Sequence, residues 1–280
     1  MLGSRVVLAW IMIVGVVVAL PIAVVSPGPT TVAPSTIVLL LLAGSCYVVG
    51  LQLTYAALRV GKVSIVAPIV STEGAVAALI SVALGDPIGL LAGLMLVAIA
   101  AGVVLSSLER ARPEVAAGDF DVTADALDGP GPADELAVDA TVDARRTAAL
   151  SVAAALVFGV GLVAAGRSAQ LVPVAWVALT ARLVGIVGVV VPLLLQRRLR
   201  LSRAALPLVV IAGIGEVVGS MLSAWGSRES IAITAVMGSQ FAALAAVAAF
   251  LLFGERLARI QVVGVVLIVA GVTILAGASV

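Results

Sequence analysis

Histidine is absent from this 280-residue chain, and cysteine occurs once, at Cys46. The first absence excludes histidine-based metal sites, imidazole acid–base chemistry and Ser-His or Cys-His nucleophile pairs. A single cysteine can form no internal disulfide. Aromatic residues make up 4% of the chain and charged residues 11%, with a net charge of +1. That balance supplies no basic field for a nucleic-acid partner. No GxxxxGK[ST] loop occurs, so ATP is not the direct driver of any activity. Without an Asp-rich motif either, an intramembrane enzyme is disfavoured, and no metal or other cofactor is expected.

What the chain has in excess is apolar surface: 62% hydrophobic residues and a mean hydropathy of +1.28. A span needs about 20 apolar residues to cross a hydrocarbon layer ~30 Å thick. Nine segments meet this: 6–25, 36–57, 63–84, 88–107, 147–166, 173–195, 205–225, 231–253 and 257–277. The first is too long for a signal peptide and lacks a small-residue cleavage site close behind it. The expected class is therefore an all-α polytopic membrane protein. Its organisation is expected to be a first unit over 1–107, a linker over 108–146 and a second unit over 147–280.

Residues 43–105 recur at 212–274 with a constant offset of 169 positions and no gap. Ala43-Gly44 meets Ala212-Gly213, Val48-Val49-Gly50 meets Val217-Val218-Gly219, and Arg59 meets Arg228. Gly85-Asp86 meets Gly254-Glu255, and Ala101-Gly102-Val103 meets Ala270-Gly271-Val272. The second span thus corresponds to the seventh, the third to the eighth and the fourth to the ninth. Five crossings separate each pair, so the two copies are expected to run in opposite directions, as in many transporter folds. The first and sixth spans are plausible partners through Gly15-Val16-Val17-Val18 and Gly188-Val189-Val190-Val191. The fifth has none, which fits a five-plus-five design whose first helix is missing or whose start is assigned too late.

Thirteen lysines and arginines fall on one side of this topology and only Arg167 and Arg228 on the other, with Arg182 inside a span. By the positive-inside rule the N-terminus is cytoplasmic and the C-terminus outside. The linker carries ten acidic residues and four arginines, and between Gly118 and Asp143 it has few bulky apolar side chains. It is expected to be disordered, because it cannot bury enough surface to order itself. A docking or regulatory tail is the less favoured alternative.

The order Thr180-Ala181-Arg182, Gln196-Arg197-Arg198, Gly254-Glu255-Arg256 and Val269-Ala270-Gly271-Val272 resembles the EamA-type repeat of the drug/metabolite transporter superfamily. The first half resembles it from Ala43 onward, with Ala67-Pro68-Ile69 and Gly85-Asp86-Pro87 at the corresponding places. Each motif is weak alone, and their order, repeated twice, is fairly specific. The resemblance implies ten helices around a central cavity and movement of small organic solutes by alternating access. The chain departs from it by one helix and by a C-terminus outside, where family members usually keep both ends in the cytoplasm.

Glu73 and Glu216 lie near the middle of the third and seventh spans. A charge at that depth costs a few kcal/mol, so it normally faces a cavity or a partner. Burial favours the neutral acid, which makes these two the candidates for proton coupling; either could instead be a static partner of Arg182 or of helix-end amides. Arg182, roughly 14 Å into its helix at 1.5 Å per residue, could clamp an anionic solute or neutralise one of the acids permanently. Pro68 is expected to kink the third span just before Ser71-Thr72-Glu73-Gly74. The polar pair Ser239-Gln240 in the other half, in which Gln240 is the repeat equivalent of Ser71, makes Ser71, Thr72 and Gln240 candidates for a midplane site. The bland alternative has the hydroxyls bonded to their own helix. Tyr47 is the repeat partner of Glu216 and could stack on a flat or cationic solute, and Gln52 is a further candidate for the same cavity. Tyr55 and Trp225 are expected as interfacial anchors. Gly215 and Gly219, with Gly44, Gly50 and Gly213, are expected to let helices approach closely. Gly85-Asp86-Pro87 is expected to close one helix and place its acid at the start of the next.

Together these features predict a multi-pass carrier of a small metabolite or amphipathic solute in a bacterial cytoplasmic membrane. Its partners are expected to be that solute and the lipid bilayer, with the oligomeric state left open. A transport-inactive scaffold or a partner-requiring subunit is the alternative.

Overall fold

The structure, a computed structural model, describes residues 4–28, 32–61, 63–86, 89–107, 132–197, 199 and 205–238, with positions 260, 262–264, 266, 267, 270, 271 and 274 beyond them. All regular elements among the described residues are helices: α1 Ser4–Val25, α2 Pro34–Val60, α3 Val63–Val70, α4 Glu73–Ala83, α5 Leu90–Ser107 and α6 Pro132–Leu171. The chain continues as α7 Val174–Gly185, a π-helical turn Ile186–Val190, α8 Val191–Leu195, α9 Leu206–Gly226 and α10 Ile231–Gly238.

Five of these stretches are long and apolar enough to cross a membrane: Val6–Val25, Pro34–Val60, Arg145–Leu171, Val174–Leu195 and Leu206–Gly226. They correspond to the first, second, fifth, sixth and seventh expected spans. The third does not count as one helix because it is broken at Ser71-Thr72 into α3 and α4. Pro68 has no N–H to give to the carbonyl one turn back, and four residues later Thr72 N–H reaches only the Ile69 carbonyl, at 3.2 Å. The fourth span appears as α5, the eighth is described through Gly238, and most of the ninth lies outside the described residues.

One expectation is corrected. The linker was expected to be disordered over 108–146, yet α6 begins at Pro132, so 132–146 is helical. Pro132-Ala133-Asp134-Glu135-Leu136 puts proline at the first helical position and acids in the first turn, both favourable at a helix start. The alanines that follow continue it. Residues 108–131 lie outside the described residues.

The two units interlock. Helix α6, which the sequence assigns to the second unit, lies along α2 and also touches α3 and α4, while α1 packs on α7 and α9 and α2 packs on α7. Close approach depends on glycine at named points. A Cβ on Gly44 of α2 would come within 2.9 Å of the Val184 side chain of α7, and one on Gly213 of α9 within 2.6 Å of Val14 of α1. Gly44 and Gly213 are repeat equivalents, and each receives a valine from the other unit. Gly50 lies against the Phe158 ring, where a Cβ would come within 2.7 Å. A Cβ at Gly215 or Gly219 would meet nothing within 4 Å among the described residues. They sit on a face of α9 that is exposed together with Ile211, Val218 and Leu222.

The described helix ends gather in two groups. At one, Arg167 pairs with Asp86 at 2.8 Å, and Arg228 donates to the carbonyls of Ala169 (2.8 Å) and Val172 (3.2 Å). At the other, Gly61 at the close of α2 lies on the Thr147 side chain of α6. Leu8, Arg59 and Gln196 border a common opening at that same end. Gly85, at φ +92, turns the chain after α4. Its N–H bonds the Val82 carbonyl and the Asp86 N–H bonds the Ser81 carbonyl, which is a Schellman ending. The Asp86 carboxylate accepts from Ser81 Oγ and Arg167, so it ties α4 to α6.

Candidate functional site

Three membrane-depth side chains from three helices meet between α2, α7 and α9. The Tyr47 hydroxyl donates to Glu216 Oε1 at 2.6 Å. Arg182 donates through Nη2 to the Glu216 carbonyl at 3.0 Å and to Ser220 Oγ at 3.1 Å, and lies 3.5 Å from Glu216 Oε1. Its guanidinium carbon also sits 5.2 Å from the centroid of the Tyr47 ring, within cation–π range. The Tyr47 ring in turn meets Phe158 of α6 edge-on, with centroids 6.3 Å apart.

Burial is uneven across this group. The Arg182 side chain is 1% exposed, whereas that of Glu216 is 37% exposed. The guanidinium is therefore the fixed part and the carboxylate the accessible one. Room for the arginine comes from α1: a Cβ on Gly15 would lie 2.7 Å from Arg182 Cδ. Arg182 Nε is buried and has no hydrogen-bond partner among the described residues. Between a static clamp on Glu216 and a free anion clamp, the contacts place Arg182 on Glu216.

Glu73 is the first residue of α4, immediately after the break. A carboxylate there faces the positive end of the helix dipole. Ser71 and Thr72 take the bland arrangement: Ser71 Oγ donates to the Ala67 carbonyl at 2.8 Å and Thr72 Oγ1 to that of Ile69 at 2.7 Å. Their bonds help satisfy the broken helix itself. Gln240 and its neighbour Ser239 lie outside the described residues.

Gln52 lines an opening of about 100 Å³ with Tyr55, Arg59, Gly188 and Gln196, and Glu216 is not among its described lining residues. Tyr55 borders this cleft, and Trp225 at the end of α9 is 66% exposed. Tyr47, Leu51 and Tyr55 occupy one face of α2 and share an apolar cluster with Leu8, Val48 and Val189. The cleft is thus one stretch of helix face away from the Glu216 group. Its far wall is the π turn. Val191 N–H reaches back to the Ile186 carbonyl, and Pro192 has no N–H for the Gly188 carbonyl, so the helix widens there.

Sequence reasoning passed over Ser220, Gly15 and the cleft residues Arg59 and Gln196. Ser220 carried a usable signal, being four residues after Glu216 on the same helix face. Gly15 carried none, because its role depends on which helix lies opposite.

No protein-family model matches the chain, and no curated protein matches it. Sixteen solved chains match its structure. One of them, a crystal structure of a protein whose activity is not stated, superposes with a TM-score of 0.70 at 17% identity, covering 98% of this chain and 88% of its own. At that identity the likeness establishes a shared fold over nearly the whole length and nothing about activity.

Proposed function

We propose that the protein is a secondary transporter of the drug/metabolite type, an EamA-like carrier in a bacterial cytoplasmic membrane. It moves a small metabolite or amphipathic solute by rocking two inverted halves, each built on the same helical plan, with nine crossings in all. The observation that carries this reading is the Tyr47–Glu216 hydrogen bond, whose partners are 169 residues apart. That separation equals the offset of the sequence repeat, so equivalent residues of the two halves touch. Equivalent residues can meet only close to the axis that relates the halves, which is where inverted-repeat transporters place their sites.

Two further observations support it. The equivalent glycines Gly44 and Gly213 each receive a valine, Val184 and Val14 in that order, from the opposite half. Helix α2 ends against the start of α6, at Thr147, whereas α9 ends where Arg228 holds the end of α6, at Ala169. That pair of contacts supports opposed directions for α2 and α9. Glu216, accessible and held beside a buried arginine, is the group suited to exchange a proton or engage a solute.

The test is a stabilisation screen of the purified protein across amino acids, nucleosides, sugars and cationic dyes, followed by counterflow in proteoliposomes with any solute that raises the melting temperature. A carrier exchanges labelled for unlabelled solute faster than empty liposomes. A stabilising solute that is never exchanged would assign the chain to the scaffold class instead.

A further inference from the structure

Met12 and Arg182 hold the same place in the two units. Arg182 runs past Gly15 of α1, where a Cβ would come within 2.7 Å of its Cδ, and Met12 runs past Gly185 of α7, where a Cβ would collide with its Sδ. Met12 and Gly15 therefore match Arg182 and Gly185, at an offset of 170 positions. Val14 on Gly213 and Val184 on Gly44 are a second reciprocal pair of contacts at that offset. Burial obeys it too: Met12, Gly15, Ala19 and Ala23 are buried along α1, as are Arg182, Gly185, Val189 and Leu193 along α7 and its continuation. Gly15 thus corresponds to Gly185, not to the Gly188 that the glycine–valine runs suggested. Two apolar clusters follow the same correspondence. Ala9, Val48, Val189 and Leu193 belong to one, and their counterparts Leu179, Val217, Ala19 and Ala23 belong to the other.

The two clusters lie toward opposite ends of the bundle and are packed differently. Leu8, at the first, and Ala23, at the second, are about 22 Å apart along α1 at 1.5 Å per residue. At the first end Leu8, Gln52, Tyr55, Gly188 and Leu193 border the opening of about 100 Å³. At the second end Met221, the counterpart of Gln52, packs on Ala19, Ala23 and Val217, which are 0%, 1% and 0% exposed. The packed end carries the smaller side chains, Ala19 for Val189 and Ala23 for Leu193. We propose that these ends are two gates of one design, with the Gln52 end open and the Met221 end shut. In the opposite state the arrangements are exchanged: Gln52 and Leu193 close, while Met221 and Ala23 part. Two inverted copies make that state available, because each can take the arrangement of the other, and packed interfaces switch between discrete arrangements instead of deforming continuously. The inference deepens the transporter reading and rests on it for the solute carried, while the exchange of gates is measurable without a solute.

Cysteine reactivity in the purified full-length protein tests it. In a Cys46→Ala background, Gln52→Cys reports on one end and Met221→Cys on the other, each read as the rate of reaction with a water-soluble maleimide. Giving the packed end the side chains of the open one, by Ala19→Val with Ala23→Leu, disfavours its closure. The rate at Met221→Cys should then rise and the rate at Gln52→Cys fall, each by at least about threefold, as a shift between two populations requires. Leu193→Ala, which eases closure of the open end, should move both rates in the same directions and decides the matter if the double variant does not fold. A rise at Met221→Cys with no fall at Gln52→Cys is loosened packing and overturns the proposal, as does no change at either end. Opposed shifts without exchange of any solute across liposomes keep the gates and sink the transporter reading alone. Solute exchange with uncoupled rates keeps the transporter and sinks the gates.

Discussion

Tyr47 and Glu216 occupy the same position in the two copies of the repeat, and their side chains are hydrogen-bonded to one another at 2.6 Å. A residue touching its own counterpart fixes where the halves meet. It also makes the partners chemically unequal, one a phenol and one a carboxylate, so the site has a direction that the backbone plan does not.

Tyr47→Phe keeps the ring against Arg182 and Phe158 and removes only the hydroxyl. Loss of one hydrogen bond to a charged group should lower stability by about 1.5–3 kcal/mol at most, less for a carboxylate that is partly open. Solute exchange should fall by more than this stability loss accounts for, because the Glu216 carboxylate loses its orienting donor. Thermal unfolding and counterflow on the same preparation check both parts. Exchange at the wild-type rate would leave the hydroxyl a merely structural role.

Arg182→Met removes the buried guanidinium and leaves the Glu216 carbonyl and Ser220 without their donor. Breaking a buried pair costs about 3–5 kcal/mol, and the lower end applies here because Glu216 is 37% exposed. The double variant Arg182→Met with Glu216→Gln should recover part of that loss. A double-mutant cycle by chemical or thermal unfolding reads the coupling directly, and additive effects would mean that the two residues do not stabilise one another.

Glycine substitutions should sort by what each glycine touches. Gly44→Val and Gly213→Val drive a side chain into Val184 and Val14 and should each destabilise by about 1–3 kcal/mol, as overpacking does. Gly50→Val, against Phe158, belongs with them. Gly215→Val and Gly219→Val meet nothing among the described residues and should leave the melting temperature nearly unchanged. Comparable losses at all five positions would contradict the packing described for α9.

Asp86→Asn breaks the pair with Arg167, whose side chains are 31% and 27% exposed in the order Arg167, Asp86. A partly solvated pair contributes about 0–1 kcal/mol, so the variant should fold and melt within a few degrees of the parent. The loss should shrink further in high salt. A large loss that salt does not alter would point to the Ser81 contact as the important one.

Much of the architecture could be seen in the residues themselves. The offset of 169 anticipated that Gly44 and Gly213 would do the same job, and the polar run after Pro68 marked the break at Ser71-Thr72, because proline and hydroxyls leave a local mark on backbone hydrogen bonding. What could not be seen was contact across helices. Nothing in Gly15 announces Arg182, and nothing in Gly50 announces that it receives Phe158. The opening that Gln52 and Tyr55 share with Arg59 and Gln196 was hidden for the same reason: hydropathy says that a residue is in a span, not which neighbour it faces. The helical start of α6 was hidden by composition, since the acids that argue against burial also favour a helix N-terminus.

Uptake into proteoliposomes under an imposed pH gradient bears most directly on a carrier working through Glu216. The expected result is gradient-driven accumulation of a stabilising solute by the parent protein, with loss of the gradient response in Glu216→Gln and a weaker response in Glu73→Gln. Undiminished gradient-driven uptake in both variants would contradict the role given to these carboxylates.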